Sequence, residues 1–368
     1  MAYSPFRHIG SIAWKRRPIQ LTFFLTKSCN ARCPFCFYLS RGSNSGHGPE
    51  LSPDEIERIS ASMGRLLWLA FSGGEIFLRD DLADIVKTFY DRNKPSIILL
   101  TTNGLLTNVV QAKTEAILEY CKESSVVLKL SLDGPEEVHD SLRGTAGAFR
   151  KALETYAMLR GFIGAYPNFE LGINSVFCAA NQDRMGGFME FVRGLDKTMT
   201  HTVSLIRGKV QNPLLKNVDM EKYLEIGKKL EADLHDGLTG VYRFRGARLK
   251  AAQDILQRRL IHDTAVQAKR LIPCYAGRLN LVLTETGDVY PCEAFDRKLG
   301  NVREAGYDIK TILKADKTLA AIKAIADSGC HCTHECYFMT NILFNPGQYP
   351  SLLKEYLRLR FSSAALSG

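Results

Sequence analysis

The sequence has no long apolar run. A membrane-spanning helix needs roughly 18 or more consecutive apolar residues, and no stretch of the 368-residue chain approaches that length. The basic residues 15–17 precede only the short apolar run 19–26, and no small-residue cleavage site follows it. These absences exclude a transmembrane segment and a secretory signal peptide, so we expect a cytoplasmic protein.

The sequence also lacks clusters in which aromatic and basic residues are interleaved. Its formal net charge is +9, but lysines and arginines are mixed with acids along the chain. Proteins that bind single-stranded nucleic acid combine a positive groove with stacking aromatics. We therefore do not expect nucleic acid as a partner. The positive charge suits an anionic substrate group or a membrane surface.

One cysteine cluster lacks a fourth ligand. Cys29, Cys33 and Cys36 follow an apolar, β-rich run, so we expect them in the loop after a first strand. Soft thiolates select zinc, copper(I) or iron–sulfur clusters, and a structural zinc site needs four ligands. The next candidate, His47, lies beyond a stretch rich in Gly and Ser. Three thiols would leave one iron of a cluster open to a substrate or cofactor.

Apolar, β-rich runs alternate with helical patterns through residue 208. Strands are predicted over residues 19–26, 66–71, 96–102, 126–132, 169–178 and 202–206. Such alternation is typical of an α/β fold with a parallel sheet, here a partial (β/α)6 barrel or an open sheet. In these sheets the chemistry gathers at the carboxyl ends of the strands, where each candidate motif of this core lies.

The remaining chain divides into a connector and a second cysteine-bearing region. Two helices are predicted at about 220–235 and 241–268, and we interpret the basic residues of the second as solvated faces. The alternative is that some of its arginines line a substrate cavity. The predicted units are an N-terminal strap 1–18, a barrel core 19–208, a helical connector 209–270, a small domain 271–345 and an amphipathic tail 346–368 that packs back on the body.

Seven further cysteines follow the first three. Cys121 and Cys178 stand alone and are interpreted as buried small hydrophobes. Cys274 and Cys292 bracket a predicted β-hairpin with a turn at 285–288. The others are Cys330, Cys332 and Cys336. A reducing compartment argues against disulfides, so these thiols indicate a metal site or catalysis.

The first cysteine group, C-x3-C-x2-C with Phe35 before the last cysteine, resembles the radical S-adenosylmethionine (radical SAM) superfamily. The sequence 72–75, Ser-Gly-Gly-Glu, one strand later, is similar to the family's GGE motif. The resemblance implies that Cys29, Cys33 and Cys36 hold a 4Fe–4S cluster whose open iron binds S-adenosylmethionine. Further contacts to this cofactor are expected from Phe35, Tyr38, Gly73, Gly74, Glu75, Thr101, Asn103, Ser131, Asp133, Asn174 and Arg207.

The second group, C-x12-G-x4-C followed by later cysteines, resembles the SPASM/twitch extension of that superfamily. The full pattern has seven cysteines, whereas this region has five, which favours one auxiliary 4Fe–4S cluster. Its expected ligands are Cys274, Cys292, Cys332 and Cys336, with Cys330 as the alternative to one of them. His331 and His334 keep a structural zinc site as the competing interpretation.

The resemblance implies reductive cleavage of S-adenosylmethionine to a 5′-deoxyadenosyl radical, which abstracts hydrogen from a substrate carbon. Net oxidation or rearrangement would be assisted by the auxiliary cluster, and a flavodoxin or ferredoxin would donate electrons. The strap 1–18 is too short for a peptide-recognition domain. This favours a small molecule, possibly anionic, in natural-product biosynthesis. The alternatives are a maturase that crosslinks or oxidises ribosomal peptides and a non-enzymatic iron–sulfur or zinc scaffold or sensor.

Overall fold

The computed structural model describes residues 2–40 and 48–365, with side chains described through residue 360. His47 and most of the Gly- and Ser-rich stretch lie outside the described residues. Among the described residues, no helix is both long enough and apolar enough to cross a bilayer.

Six parallel strands form the framework. They are β1 (Gln20–Phe24), β2 (Trp68–Ser72), β3 (Ile97–Thr102), β4 (Ser125–Ser131), β5 (Phe169–Phe177) and β6 (Thr200–Leu205). They lie side by side in chain order, and each pairs in parallel with the next. The six predicted strands and the parallel sheet are confirmed. Parallel register brings all six carboxyl ends to one edge, which is where the candidate site residues lie.

Helices connect the strands and cover the outer face of the sheet. They are α1 (Pro53–Ser62), α2 (Leu82–Asn93), α3 (Thr107–Tyr120), α4 (Glu136–Arg143), α5 (Ala148–Arg160) and α6 (Met185–Leu195). The capping box predicted at the start of α1 is present, because Ser52 and Glu55 each bond to the other's backbone N–H. Helix α4 was not predicted. Its eight residues are too short for a clear apolar period, and Gly144 ends it in the left-handed conformation.

The predicted hairpin extends the same sheet. Strand β7 (Asn280–Leu283) pairs in parallel with β1, opposite β2. Strands β8 (Asp288–Tyr290) and β9 (Gly300–Asn301) then continue the sheet in antiparallel fashion. The hairpin is confirmed, but its main chain is bonded to the barrel rather than folded apart from it. This pairing places the second cysteine group beside the first.

Six further α-helices follow β6 among the described residues. They are α7 (Met220–His235), α8 (Ala247–Gln267), α9 (Ile309–Lys314), α10 (Asp316–Asp327), α11 (Glu335–Leu343) and α12 (Tyr349–Ala365). Helix α8 packs against α7, α11 and α12, and Ala252, Ile255 and Ile261 are buried in its middle. Arg243, Arg245 and Arg248 are exposed, as the interpretation of solvated basic faces expects, whereas the Nε and Nη2 atoms of Arg258 and the middle of the helix are buried. The tail does pack back, because Leu352 and Leu359 of α12 are buried in the main core.

Candidate active site

One cavity of about 330 Å³ opens at the carboxyl ends of the strands and extends into the barrel. Cys29, Cys33 and Cys36 line one end of it. Most of the predicted cofactor-contact residues also line this cavity, namely Phe35, Gly73, Gly74, Glu75, Thr101, Asn103, Ser131, Asn174 and Arg207. The structure thus brings nine of these eleven residues together around a single space.

Hydrogen-bond donors surround the three thiols. The backbone N–H of Ala31 donates to Cys29 Sγ at 3.5 Å, and that of Leu39 donates to Cys36 Sγ at 3.4 Å. Burial raises the pKa of Cys33 to about 11, so this thiol stays protonated unless a metal ion binds it. N–H donors aimed at sulfur stabilise the thiolate charge that a bound cluster brings.

The two glycines of the GGE motif are required by the cysteine loop. The N–H groups of Gly74 and Glu75 donate to the carbonyls of Thr26 and Ser28 at 2.7 and 2.9 Å. A Cβ atom at Gly74 would lie 2.1 Å from the Ser28 carbonyl oxygen, a distance that no side chain tolerates. The motif therefore clamps the backbone that leads into Cys29, in addition to lining the cavity.

Glu75 is almost fully buried and is held by neutral donors. Its carboxylate accepts hydrogen bonds from the Asn103 N–H at 2.7 Å, the Thr102 hydroxyl at 3.0 Å and the Phe77 N–H at 3.3 Å. Burial raises the pKa of Glu75 to about 7, against the effect of these donors. A cationic group in the adjoining cavity would restore the ordinary pKa, which suits the ammonium group of a ligand.

Two of the predicted contact residues, Asp133 and Tyr38, do not line the cavity. The Asp133 carboxylate is fully buried and is not part of the cavity wall; it accepts from the Val176 N–H at 2.9 Å and pairs with Arg143. The Tyr38 ring stacks on Phe24 with centroids 4.2 Å apart, and its hydroxyl bonds to Glu285. Other residues therefore hold both side chains away from the cavity.

Arg143 is a site residue that sequence reasoning missed. It ends the unpredicted helix α4, and its Nε and Nη2 atoms each lie 2.7 Å from Asp133 Oδ2. Its Nη1 lies 3.8 Å from Cys33 Sγ, and its guanidinium lies 5.4 Å from the centre of the Phe35 ring. Arg143 thus places a positive charge next to the loop that holds the three thiols. An isolated arginine in an unrecognised short helix offers no motif that could have identified it.

Arg207 lies between the two cysteine groups. Its Nη2 forms an ion pair of 2.8 Å with Glu293, the residue after Cys292. Its Nε is buried without a hydrogen-bond partner among the described residues. The Glu293 charge raises the pKa of Arg207 in spite of burial, so the guanidinium remains charged. Arg207 lines the cavity, so its guanidinium can donate to a ligand there.

The inner end of the cavity carries charged residues that were not predicted as site residues. Lys129 of β4 lies beside Gly172, where a Cβ atom would be 2.4 Å from its Nζ. Its ammonium donates to the hydroxyls of Thr200 and Thr202 at 2.8 and 3.1 Å. Burial lowers the pKa of Lys129 to about 7. A lysine inside an apolar strand could have been noticed from the sequence, but its neighbours come from distant strands.

Helices α8 and α11 supply the other charges at this inner end. Lys250 and Asp254 of α8 form an ion pair, and Glu335 of α11 accepts from the Ser204 hydroxyl at 2.6 Å. All three line the cavity together with Tyr242. The alternative prediction is that arginines of this helix line the substrate cavity. The helix does reach the cavity, but its charged residues that line the cavity are Lys250 and Asp254.

The second cysteine group lies against the first. Cys274 and Cys292 bracket the β7–β8 hairpin, and with Cys36 and Cys336 they pack on one buried cluster around Tyr337. Burial raises the pKa of Cys332 to about 12, and the neighbouring thiols of Cys274 and Cys330 raise it further. The five residues are therefore gathered in one region.

Within this group, Cys336 and Cys330 differ in their surroundings. Cys336 lines the main cavity, and burial followed by the charge of Glu293 raises its pKa. Cys330 is exposed. His331 is also exposed, whereas His334 is buried and burial lowers its pKa to about 3. Cys121 and Cys178 are fully buried in apolar surroundings, as predicted.

In the described residues, no three thiol sulfurs lie within 4.8 Å of one another. A tetrahedral zinc site with Zn–S bonds of about 2.3 Å holds its sulfurs only about 3.8 Å apart. In the part of the chain that the structure describes, the only three ligand atoms within 4.8 Å of one another belong to Glu231, His235 and Glu355. Arg259 pairs with both of these glutamates, so that trio is an ion-pair network.

The fold and this site together define a radical SAM enzyme. The chain belongs to the Radical SAM superfamily, whose family profile matches residues 23–164. Residues 274–337 match the iron–sulfur cluster-binding domain SPASM. The protein accordingly uses S-adenosylmethionine and iron–sulfur clusters, as the resemblance implied.

Among curated proteins, the chain is similar to an AdoMet-dependent heme synthase of Methanosarcina barkeri. The two are 28% identical over 308 residues, which are 80% of this chain and 82% of the relative. It is also 24% identical over 301 residues to the antilisterial bacteriocin subtilosin biosynthesis protein AlbA of Bacillus subtilis, covering 79% of this chain and 59% of AlbA. A PqqA peptide cyclase of Rhodopseudomonas palustris is 28% identical over 185 residues, 49% of this chain and 45% of the cyclase. The chain thus spans about half the length of the last two relatives.

Two solved structures share the fold. The protein anSMEcpe with bound AdoMet matches with a TM-score of 0.61 and 18% identity, covering 94% of this chain and 98% of that chain. Streptococcus suis SuiB bound to S-adenosylmethionine matches with a TM-score of 0.57 and 15% identity, covering 87% and 69%. At these identities the likeness concerns the fold alone.

Proposed function

We propose that the protein oxidises or rearranges a compact, charged substrate that occupies the inner end of the cavity. One observation carries this proposal: the same cavity is lined by the thiols of the first cysteine group, by Cys336 of the second, and by Lys129, Lys250, Asp254 and Glu335. When bound, the first cluster and S-adenosylmethionine would supply hydrogen-atom abstraction, and the auxiliary cluster would supply an acceptor for an electron of the substrate.

The residues that would hold the cofactors follow from their positions. Cys29, Cys33 and Cys36 would ligate the first cluster. Thr101, Asn103, Ser131 and Asn174 would contact S-adenosylmethionine from the strand ends, beside Gly73, Gly74 and Glu75. Cys274, Cys292, Cys332 and Cys336 would ligate the auxiliary cluster, with Cys330 as the alternative to one of them. The buried carboxylate of Glu75 provides a favourable position for the ammonium group of the cofactor.

The protein's own side chains orient the substrate and handle a proton. Net oxidation removes one hydrogen atom, one electron and one proton from the substrate. The Lys129 Nζ can accept that proton at neutral pH, because burial brings its pKa to about 7. Lys250 and Arg207 can bind anionic groups at opposite ends of the cavity, whereas Asp254 and Glu335 suit cationic groups. The enclosing helices α8 and α11 keep bulk water away from the reacting carbon.

The test is a substrate search with matched variants. The reconstituted, reduced protein is incubated with deuterium-labelled metabolites and with peptides encoded beside the gene, and deuterium transfer into 5′-deoxyadenosine is measured by mass spectrometry. We expect a true substrate to transfer deuterium and to be bound more weakly by Lys250→Met than by the exposed control Lys228→Met. Equal deuterium transfer and equal KM in both variants would contradict a substrate at the inner end.

Peptide modification is the second candidate function. The observation in its favour is the similarity to the bacteriocin biosynthesis protein AlbA and to PqqA peptide cyclases. In that case a single side chain of the peptide would enter the cavity. Deuterium transfer from a peptide, and from no free metabolite, would decide for this candidate. A flavodoxin or ferredoxin is proposed as the electron donor in both cases.

A further inference from the structure

A second, larger depression lies at the opposite end of the barrel. It is a groove of about 2010 Å³ lined by the N-terminal strap, the loop before β2, the turn before β7, and helices α9 and α10. Each of these first three segments precedes a strand of the sheet, whereas Cys29 follows β1. The groove is therefore at the amino ends of the strands and is separate from the radical site.

The groove is strongly positive. Nine of its lining residues are cationic, namely Arg7, Lys15, Arg16, Arg17, Arg65, Arg278, Lys310, Lys314 and Lys323. Asp327 is the one acidic residue among the described residues that line it. None of the nine side chains has a carboxylate partner within ion-pair distance in the described part of the chain. Elsewhere on the surface, arginines such as Arg150 and Arg303 are paired with Glu136 and Glu55.

The cations of the groove repel one another. Burial lowers the pKa of Arg7, and the charge of Arg65 lowers it further. Burial likewise lowers the pKa of Lys15, and the charge of Arg278 adds to the effect. Such repulsion destabilises the isolated protein, and an anionic partner would relieve it.

Apolar surface and shape indicate what kind of anion fits. Trp14 and Leu319 line the groove and are 60% and 55% exposed, and the Arg16 guanidinium lies 4.4 Å from the centre of the Trp14 ring. Small-molecule sites enclose about 300–1,000 Å³, which is well below the volume of this groove. A bilayer or the convex face of a globular protein would contact its rims but not its floor. An extended polypeptide can follow a concave groove and place both carboxylates and apolar side chains in it.

We propose that this groove binds an extended, acidic segment of a polypeptide. The glutamates or aspartates of the segment would pair with these arginines and lysines, which lack a carboxylate partner, and an apolar side chain would pack beside Trp14. Binding of this kind needs neither S-adenosylmethionine nor a reduced cluster. Its test is therefore independent of the proposed radical reaction.

The experiment measures binding to the cluster-containing protein without reductant, by fluorescence anisotropy. The probe is a fluorescein-labelled peptide of alternating glutamate and alanine with one leucine, and its control has glutamine in place of glutamate. The groove variant is Arg17→Gln/Arg65→Gln/Arg278→Gln. The matched variant, Arg184→Gln/Lys228→Gln/Arg248→Gln, removes the same charge from exposed residues elsewhere.

The groove variant should bind the acidic peptide about tenfold more weakly than wild type, since each exposed ion pair contributes modestly to affinity. The matched variant should bind within about twofold of wild type, and affinity should fall with added salt. Equal weakening by both variants, or equal binding of the glutamine peptide, would overturn the proposal. So would tighter, groove-dependent binding of phosphatidylserine vesicles or of a single-stranded oligothymidine.

Discussion

Replacement of Arg143 by methionine separates a structural role of this residue from its role at the thiols. The Asp133 carboxylate is fully buried and has two nitrogen atoms of Arg143 at 2.7 Å from one oxygen. Its other oxygen accepts the Val176 N–H. The adjacent His139 does not donate to this carboxylate, because its Nδ1 accepts the backbone N–H of Asp133 at 3.0 Å.

Arg143→Met should therefore lower the free energy of unfolding by about 3–5 kcal/mol, which is the usual cost of leaving one partner of a buried pair alone. Urea denaturation of the cluster-free protein, followed by circular dichroism, measures this loss. Arg150→Met is the matched control. Its partner is the exposed Glu136, and it should change stability by less than about 1 kcal/mol.

The double variant Arg143→Met/Asp133→Asn isolates the second role. Removing both charges should restore most of the stability, because a buried pair replaced by neutral groups is often nearly neutral in energy. It cannot restore the donor to Cys33 Sγ or the positive charge over Phe35. We therefore expect the double variant to form 5′-deoxyadenosine at least tenfold more slowly than wild type. Wild-type stability of the single variant, or a wild-type rate of the double variant, would refute the reasoning.

Three further predictions concern the clamp, the inner lysine and the auxiliary ligands. Gly74→Ala should fold with loss of the first cluster's iron, because its Cβ would displace Ser28; full iron content by Mössbauer spectroscopy would contradict the clamp. Burial lowers the pKa of Lys129 from 10.5 to about 7. Between about pH 7 and pH 10.5 the unfolded chain therefore binds more protons than the folded chain, so this residue makes the folded state more stable as the pH rises through that range. Lys129→Met should therefore raise the melting temperature at pH 7 more than at pH 10, and an equal change at both would refute the assignment. Cys336→Ala should lose the iron of the auxiliary cluster, whereas Cys330→Ala should retain it. The reverse result would show that Cys330, and not Cys336, is the ligand.

The parts of the fold that could be predicted are those with local causes. Alternating apolar strands and helical patterns fixed the parallel sheet, and Ser52 with Glu55 marked the start of α1. Cys29, Cys33 and Cys36 were recognisable because eight residues of one loop carry all three thiols. The burial of α8 could not be predicted in this way. Charged residues such as Lys250 and Asp254 usually indicate an exposed helix face, but here they form an ion pair with each other inside the barrel.

The candidate site shows the same division. Residues that follow a strand were placed correctly as a group, because parallel register brings the strand ends together. The orientations of individual side chains could not be predicted, because the residue that bonds to each side chain is distant in sequence. Arg143 draws Asp133 away from the cavity, and Glu285 holds the Tyr38 hydroxyl. The position of Lys129 depends on Gly172, Thr200 and Thr202, which belong to neighbouring strands.

The most direct measurement of the central claim is the yield of methionine and 5′-deoxyadenosine from S-adenosylmethionine. It is made under anaerobic reduction, with wild type and Cys33→Ala compared at equal protein concentration. We predict cleavage by wild type, no cleavage by Cys33→Ala, and unchanged auxiliary iron in that variant. Absence of cleavage by the cluster-loaded wild type, or undiminished cleavage by Cys33→Ala, would contradict an open cluster held by the first three thiols.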